Sequence, residues 1–172
     1  MKTRILRDIE VSAVGMGCMS FSHGYGKIPS EEYSIEAIQN AYRHGCTFFD
    51  TAEVYSPNLS GKITPDTQFE RNDDVRNWVP QLSRRNIESN MPIVEMLREF
   101  ANKKNATPAQ ISLAWMLHKY PNVVPIPGSK NKERIIEDLT ASQVELTDDE
   151  FTALETELNK CKVYGHRGLG GF

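Results

Sequence analysis

Asp50 and Tyr55 stand five residues apart, just beyond the apolar run Cys46-Thr47-Phe48-Phe49. Gly45 precedes that run and a helical pattern precedes Gly45, so the run reads as a buried parallel strand that releases an Asp and then a Tyr at its carboxyl end. In parallel α/β architectures ligands bind at that end, where loops vary while the strands hold them in place. The pair can also be read as a strand-end Asx turn followed by a rim aromatic. A second group lies at Gly128-Ser129-Lys130, which follows the short apolar run Val123 to Ile126 and opens a helix carrying Arg134 and Asp138. Backbone amides, a hydroxyl and two cations at a helix start suit a phosphate, because unsatisfied N–H groups and the helix dipole favour an anion there. On its own, Gly-Ser-Lys reads equally as an ordinary capped helix with surface cations.

The elements that would position these groups can be followed along the chain. Thr3 to Leu6 and Glu10 to Val14 alternate around Arg7-Asp8, which predicts a hairpin leading into a strand over Ala13 to Gly17. Ser30 before Glu31-Glu32 signals a helix start. Tyr33, Ile35, Ala37, Ile38, Ala41 and Tyr42 give that helix an apolar face until Gly45. Ser56 to about Asn86 is rich in Pro, Asn, Asp, Ser and Arg, which predicts a long irregular loop. Helices are expected over Asn86 to Lys104, with Pro92 tolerable only near its first turns, and over Pro108 to Lys119 behind the N-cap Thr107. Val123 to Ile126 is expected as a strand, followed by helices over Lys132 to Ala141 and Asp148 to Lys160. Thr147 and Glu150 form a capping box for the last of these. The glycine-rich tail from Tyr164 to Phe172 reads as mobile.

Composition narrows the classes. With 39% hydrophobic and 25% charged residues the chain has a globular balance, and a formal charge of −3 offers no basic field for nucleic acid or an anionic membrane. Lys103-Lys104 and Arg84-Arg85 read as solvated faces. Cys18, Cys46 and Cys161 have no CxxC spacing and read as reduced thiols, and no ligand set for a metal is evident. No signal-peptide pattern or membrane span is indicated, so a cytoplasmic location is expected. No GxGxxG is present to support a Rossmann reading.

Four blocks, Val14 to Ser20, Phe48 to Tyr55, Thr107 to Trp115 and Val124 to Lys130, resemble the aldo-keto reductase family and occur in that family's order. The resemblance implies an incomplete (β/α)8 TIM barrel, because 172 residues fall short of the roughly 250 that a full barrel takes. It divides the single domain into residues 1–55 and 56–172. The first part is similar to the family's N-terminal hairpin, first strand, first helix and second strand. The second is similar to its seventh-strand loop, seventh helix, eighth strand and eighth helix.

The resemblance further implies an NADPH-dependent reduction of an aldehyde or ketone, in which a nicotinamide supplies hydride and Tyr55 donates the proton. Asp50 matches the Asp that pairs with the family's catalytic Lys. That Lys and the His completing the tetrad lie on strands without counterparts here, and none of His23, His44, His118 and His166 falls in a matching segment. Tyr55-Ser56-Pro57 resembles both the exit of the family's second strand and that of its seventh. For the cofactor, Gly17, Cys18 and Met19 match the first strand's exit beside the nicotinamide. Ser56 and Lys62 match the loop over the pyrophosphate, and Gly128, Ser129, Lys130 and Arg134 match the group that binds the 2′-phosphate of NADP(H). Asp138 replaces the usual Asn near the adenine. The alternative is a catalytically inactive remnant that binds nucleotide or a protein partner.

With the barrel's second, first and eighth strands as neighbours in that order, a three-stranded parallel sheet with two open edges is expected. Such edges invite a homo-oligomer, the alternative being a compact but weakly stable half-barrel.

Overall fold

The computed structural model describes residues 1–21, 27–50, 63–69 and 74–165. The chain opens with a hairpin of β1 (Thr3–Leu6) and β2 (Ile9–Ser12), paired antiparallel from Thr3 opposite Ser12 to Leu6 opposite Ile9. Arg7 turns the hairpin in the left-handed region at φ 58°. β3 (Met16–Gly17) then pairs in parallel with β4 (Phe49–Asp50), Met16 opposite Phe49 and Gly17 opposite Asp50. The regular part of β3 is therefore shorter than the expected Ala13 to Gly17. Between these strands runs α1 (Glu31–Arg43), whose N-cap Ser30 accepts from the Tyr33 N–H, and Gly45 leaves the helix at φ +89°. Its buried face is built from Ala37 and Ala41, small enough to let the helix lie close to the strands.

The expected strand over Val123 to Ile126 is not regular, and two prolines account for it. The Gly15 and Gly17 N–H groups donate to the carbonyls of Pro125 and Pro127 at 2.9 and 3.1 Å, and Gly17 and Gly128 form a parallel bridge. Pro125 and Pro127 have no N–H to return on that side, so half the ladder is missing. On the other flank of β3, Met16 and Cys18 donate to the carbonyls of Phe48 and Asp50 at 2.9 and 2.7 Å. The order is therefore β4, β3, then segment 123–128, all running the same way, as expected.

Beyond β4 the loop expected up to Asn86 contains two 3-10 turns, Val75–Trp78 and Pro80–Leu82. α2 (Arg84–Lys104) begins two residues earlier than expected because Ser83 caps it through the Asn86 N–H. Pro92 consequently lies in the third turn rather than near the first, and the helix continues past it. α3 (Pro108–Lys119), α4 (Lys132–Thr140) and α5 (Asp148–Lys160) follow, with full capping boxes at Thr107 with Gln110 and at Thr147 with Glu150. α4 stops one residue short of the expected Ala141, which begins a short 3-10 turn. Lys104 pairs with Glu150 at 2.6 Å, tying α2 to α5, so it is not merely solvated. Residues 166–172 of the glycine-rich tail lie outside the described residues.

Two cores result. Val14, Met16, Cys46, Ala37, Ala41, Ile135 and Leu139 fill the space between the strands, α1 and α4, while Ile93, Leu97, Ala101, Ile111 and Leu154 join α2, α3 and α5. The hairpin is fastened to this body by Arg4. Its guanidinium donates to the Tyr120 and Val123 carbonyls, each at 2.6 Å, and to the Leu117 carbonyl, which together cover the carboxyl end of α3. The Leu117 carbonyl belongs to the last turn of the helix, which has no intrahelical donor to offer it, while the Tyr120 carbonyl also accepts from the Val123 N–H at 3.1 Å. Arg4→Ala is expected to cost about 2 kcal/mol, in the range of hydrogen bonds to a charged group, read as a lower denaturation midpoint in urea; an unchanged midpoint would show that water replaces the guanidinium.

Four carboxylates respond to acid in one direction. Hydrogen bonds from Lys132, Lys2, Lys104 and Lys119 hold Glu36, Glu145, Glu150 and Glu155 below the ordinary carboxylate range. In the unfolded chain these groups titrate near about 4.3, so below that pH the unfolded state takes up more protons than the folded one. Their contribution is complete above that value and is lost as pH falls through the folded pKa values. Thermal midpoints are expected to be level from neutrality to about pH 5 and to fall below about pH 4; a rise on acidification would contradict these pairings.

Candidate functional site

Three parallel chain segments end at one edge of the sheet, and each carries part of the site there. β3 ends in Cys18, β4 ends in Asp50, and segment 123–128 ends in Ser129 and Lys130. The Cys18 N–H donates to the Asp50 carbonyl at 2.7 Å, and Gly17 bridges Gly128, so the first exit is flanked by both others through backbone contact. Gly15 makes this close approach possible. A Cβ there would lie 2.7 Å from the Phe48 carbonyl oxygen and 2.8 Å from both Ile126 Cγ2 and Phe48 Cδ1. The lower approach to β4 is held by reciprocal bonds between Ser12 and Thr47, each backbone N–H donating to the other's hydroxyl at 2.8 and 3.1 Å.

Gly17 and Met19 are buried, while Cys18 and Asp50 are half-buried. Burial, with Cys46 and Asp50 nearby, pushes the Cys18 thiol up, so it stays protonated near neutrality and is not a nucleophile. Burial also raises Cys46. Tyr55, Ser56 and Lys62 lie outside the described residues. Met19 opens a 3-10 turn, Met19–Phe21, and within it the Ser20 hydroxyl is buried with no hydrogen-bond partner among the described residues. A buried hydroxyl left so costs about 1 to 3 kcal/mol, which fits a polar ligand arriving at this exit. Nothing in the local sequence marks Ser20, because its burial depends on the surrounding packing.

At the third exit the helix cap is Asn131, whose side chain accepts from the Arg134 N–H at 2.8 Å. The Ser129 hydroxyl accepts from the Asn131 N–H at 3.2 Å, which holds the turn before α4. Lys130 Nζ donates to the Lys27 carbonyl at 2.6 Å. Lys132 pairs with Glu36 and sits 4.4 Å from the centroid of the Tyr33 ring, leaning on α1. Arg134 is exposed in the first turn and Asp138 is half-buried one turn later. Over 128–134 the sequence carries Lys130, Lys132, Arg134 and one acid, Glu133, with Lys132 paired to Glu36. This donor set fits a phosphate-bearing cofactor: the start of a nine-residue helix, a hydroxyl and the exposed Arg134 guanidinium at a strand exit.

The two described histidines, His44 and His118, are engaged elsewhere. His44 Nδ1 bonds the Asn40 carbonyl oxygen at 2.8 Å, and His118 stacks on Phe151 with centroids 4.3 Å apart. Among the described residues no group of His, Cys, Asp and Glu could hold a metal ion. None of the described helices is long and apolar enough to cross a membrane.

The chain matches the aldo/keto reductase family over residues 13–64 and 56–159, which together take in most of its length. It is similar to the aldo-keto reductase str7 of Strobilurus tenacellus, 29% identical over 137 residues that make up 80% of this chain and 40% of that protein. Among solved structures it resembles an aldose reductase from Giardia lamblia at 25% identity and a TM-score of 0.37, covering 41% of this chain and 24% of that one. The chain thus spans well under half the length of these relatives.

Proposed function

The chain belongs to the aldo/keto reductase family of oxidoreductases, and from that premise we propose that it binds NADP(H) at the shared strand edge and reduces a small aldehyde or ketone to an alcohol. The family's fold is the (β/α)8 barrel, and among the described residues three adjacent parallel segments and no closed barrel are present. One observation carries the reading: Cys18, Asp50 and Ser129 leave those segments at the same end, where barrel enzymes build their sites.

In this reading Ser129, Lys130 and Arg134 hold the 2′-phosphate, with Asp138 toward the adenine and Gly17, Cys18 and Met19 along the nicotinamide. Ser56 and Lys62 are assigned to the pyrophosphate from their match to the family's loop there. The bound cofactor supplies hydride. Tyr55 donates its phenolic proton to the oxygen that becomes the alcohol, and Asp50 orients the groups around that phenol. A phenol with an ordinary pKa of about 10 is well protonated at neutral pH and so serves as an acid.

The test follows NADPH consumption by the purified chain against a panel of aldehydes and ketones, with NADH alongside. Consumption with NADPH preferred is expected. Saturable NADPH binding with no consumption would overturn the reductase assignment and leave a nucleotide-binding remnant. Arg134→Glu replaces an exposed cation in the first turn of α4 and is expected to weaken NADPH binding by about 10-fold or more, the scale of one charge-assisted bond. NADH, which lacks the 2′-phosphate, should be bound as before; an equal loss for both would place Arg134 elsewhere than at that phosphate.

A further inference from the structure

We propose that two copies of this chain join edge to edge about a twofold axis parallel to the strands, closing a six-stranded parallel barrel with three segments from each copy. The backbone sets which groups are available. Successive residues of a strand direct their N–H and C=O groups to opposite sides. Because the Phe48 and Asp50 carbonyls accept from β3, Phe49 presents its pair to the far edge of β4. Because the Pro125 and Pro127 carbonyls accept from β3 on the other side, Val124 and Ile126 present theirs to the far edge of segment 123–128. The prolines thus remove donors only from the inner side, and the outer edge keeps its N–H groups. Among the described residues no strand pairs with either edge. Edges left unpaired among the described residues can serve as templates for another chain.

Side chains beside the two edges match in character and in height. Next to β4, Ile38, Gln39, Tyr42, Arg43 and Phe49 line a shallow groove, and Tyr42 is 66% exposed. Next to segment 123–128, Tyr120 and Val123 are 44% and 38% exposed. Tyr42 lies in the last turn of α1 before β4, and Tyr120 and Val123 lie just before the third segment. Both apolar groups are therefore at the amino end of the sheet. A twofold axis along the strands brings the Tyr42 edge of one copy against the Val123 edge of the other, twice, and leaves no edge over. An isologous pairing of like edges would instead run the strands antiparallel and leave the other edge bare. The inner face is compatible with a barrel narrower than eight strands, since Phe48 and Ile126 already fill the space over Gly15.

Sedimentation velocity on the purified full chain tests this. A species of twice 19.5 kDa is expected, and a monomer at 100 μM or polymers that lengthen with concentration would overturn the closed pair. Tyr42→Glu and Val123→Lys alter exposed positions, and each is expected to give monomer with an unchanged far-ultraviolet circular dichroism spectrum. Combining the two in one chain is expected to restore the dimer at low salt, because opposite charges then meet across both junctions. A dimer indifferent to the single variants, or a double variant that remains monomeric, would overturn this pairing of edges. The result is independent of nucleotide binding, so it succeeds or fails separately from the proposed activity.

Discussion

Gly15→Ala is expected to destabilise the fold by about 3 kcal/mol, the upper part of the range for overpacking a filled core. The added methyl would lie 2.7 Å from the Phe48 carbonyl oxygen, and that oxygen already accepts the Met16 N–H at 2.9 Å. Backbone cannot step aside there without releasing the β3–β4 ladder, which consists of two registered pairs. On the other flank the methyl meets Ile126 Cγ2 at 2.8 Å, so relief in that direction separates β3 from segment 123–128. For a chain of this size the change corresponds to a fall in thermal midpoint of roughly 6 to 12 °C. Calorimetry measures it. Gly45→Ala, at φ +89° beyond the end of α1, provides a comparison in which backbone strain acts with one tight contact, to Met1 Cβ at 3.2 Å, and a Gly15→Ala midpoint equal to wild type would show that the three segments are not packed as described.

The second large effect concerns chemistry. Tyr55→Phe removes one hydroxyl and is expected to lower the rate of NADPH consumption by about 10² to 10⁴-fold, the range for loss of a positioned general acid. Nucleotide affinity should remain, because the proposed site holds the phosphate through Ser129, Lys130 and Arg134 rather than Tyr55. A drop in rate with unchanged nucleotide binding assigns the hydroxyl to proton transfer. Equal loss of both, or a rate within a few-fold of wild type, would remove Tyr55 from that role.

How far these features could be read beforehand varied with whether the deciding interaction was local. Ser30, Thr107 and Thr147 cap their helices within three residues, so those starts were visible in the sequence. Ser83 was obscured by the polar loop before it and by Arg84-Arg85, and α2 began earlier than read. Segment 123–128 is legible as the third parallel segment but not as an irregular one, although the cause, prolines at both positions that pair with β3, lies in plain view. At the site, Gly128-Ser129-Lys130 marked the strand exit. The cap proved to be Asn131, and the partnership of Lys132 with Glu36 joins residues 96 apart, which no local pattern records. Ser20 carries no local mark for the same reason. Arg4, 113 residues or more from the carbonyls it covers, could be placed only by the fold.

The central claim is that three neighbouring strand exits form an NADP(H) site, and its most direct test is titration of the purified chain with NADPH, followed by nicotinamide fluorescence, with NADH as comparison. Saturable binding that favours NADPH is the predicted result. No saturable binding, or equal affinity for the two nucleotides, would contradict it.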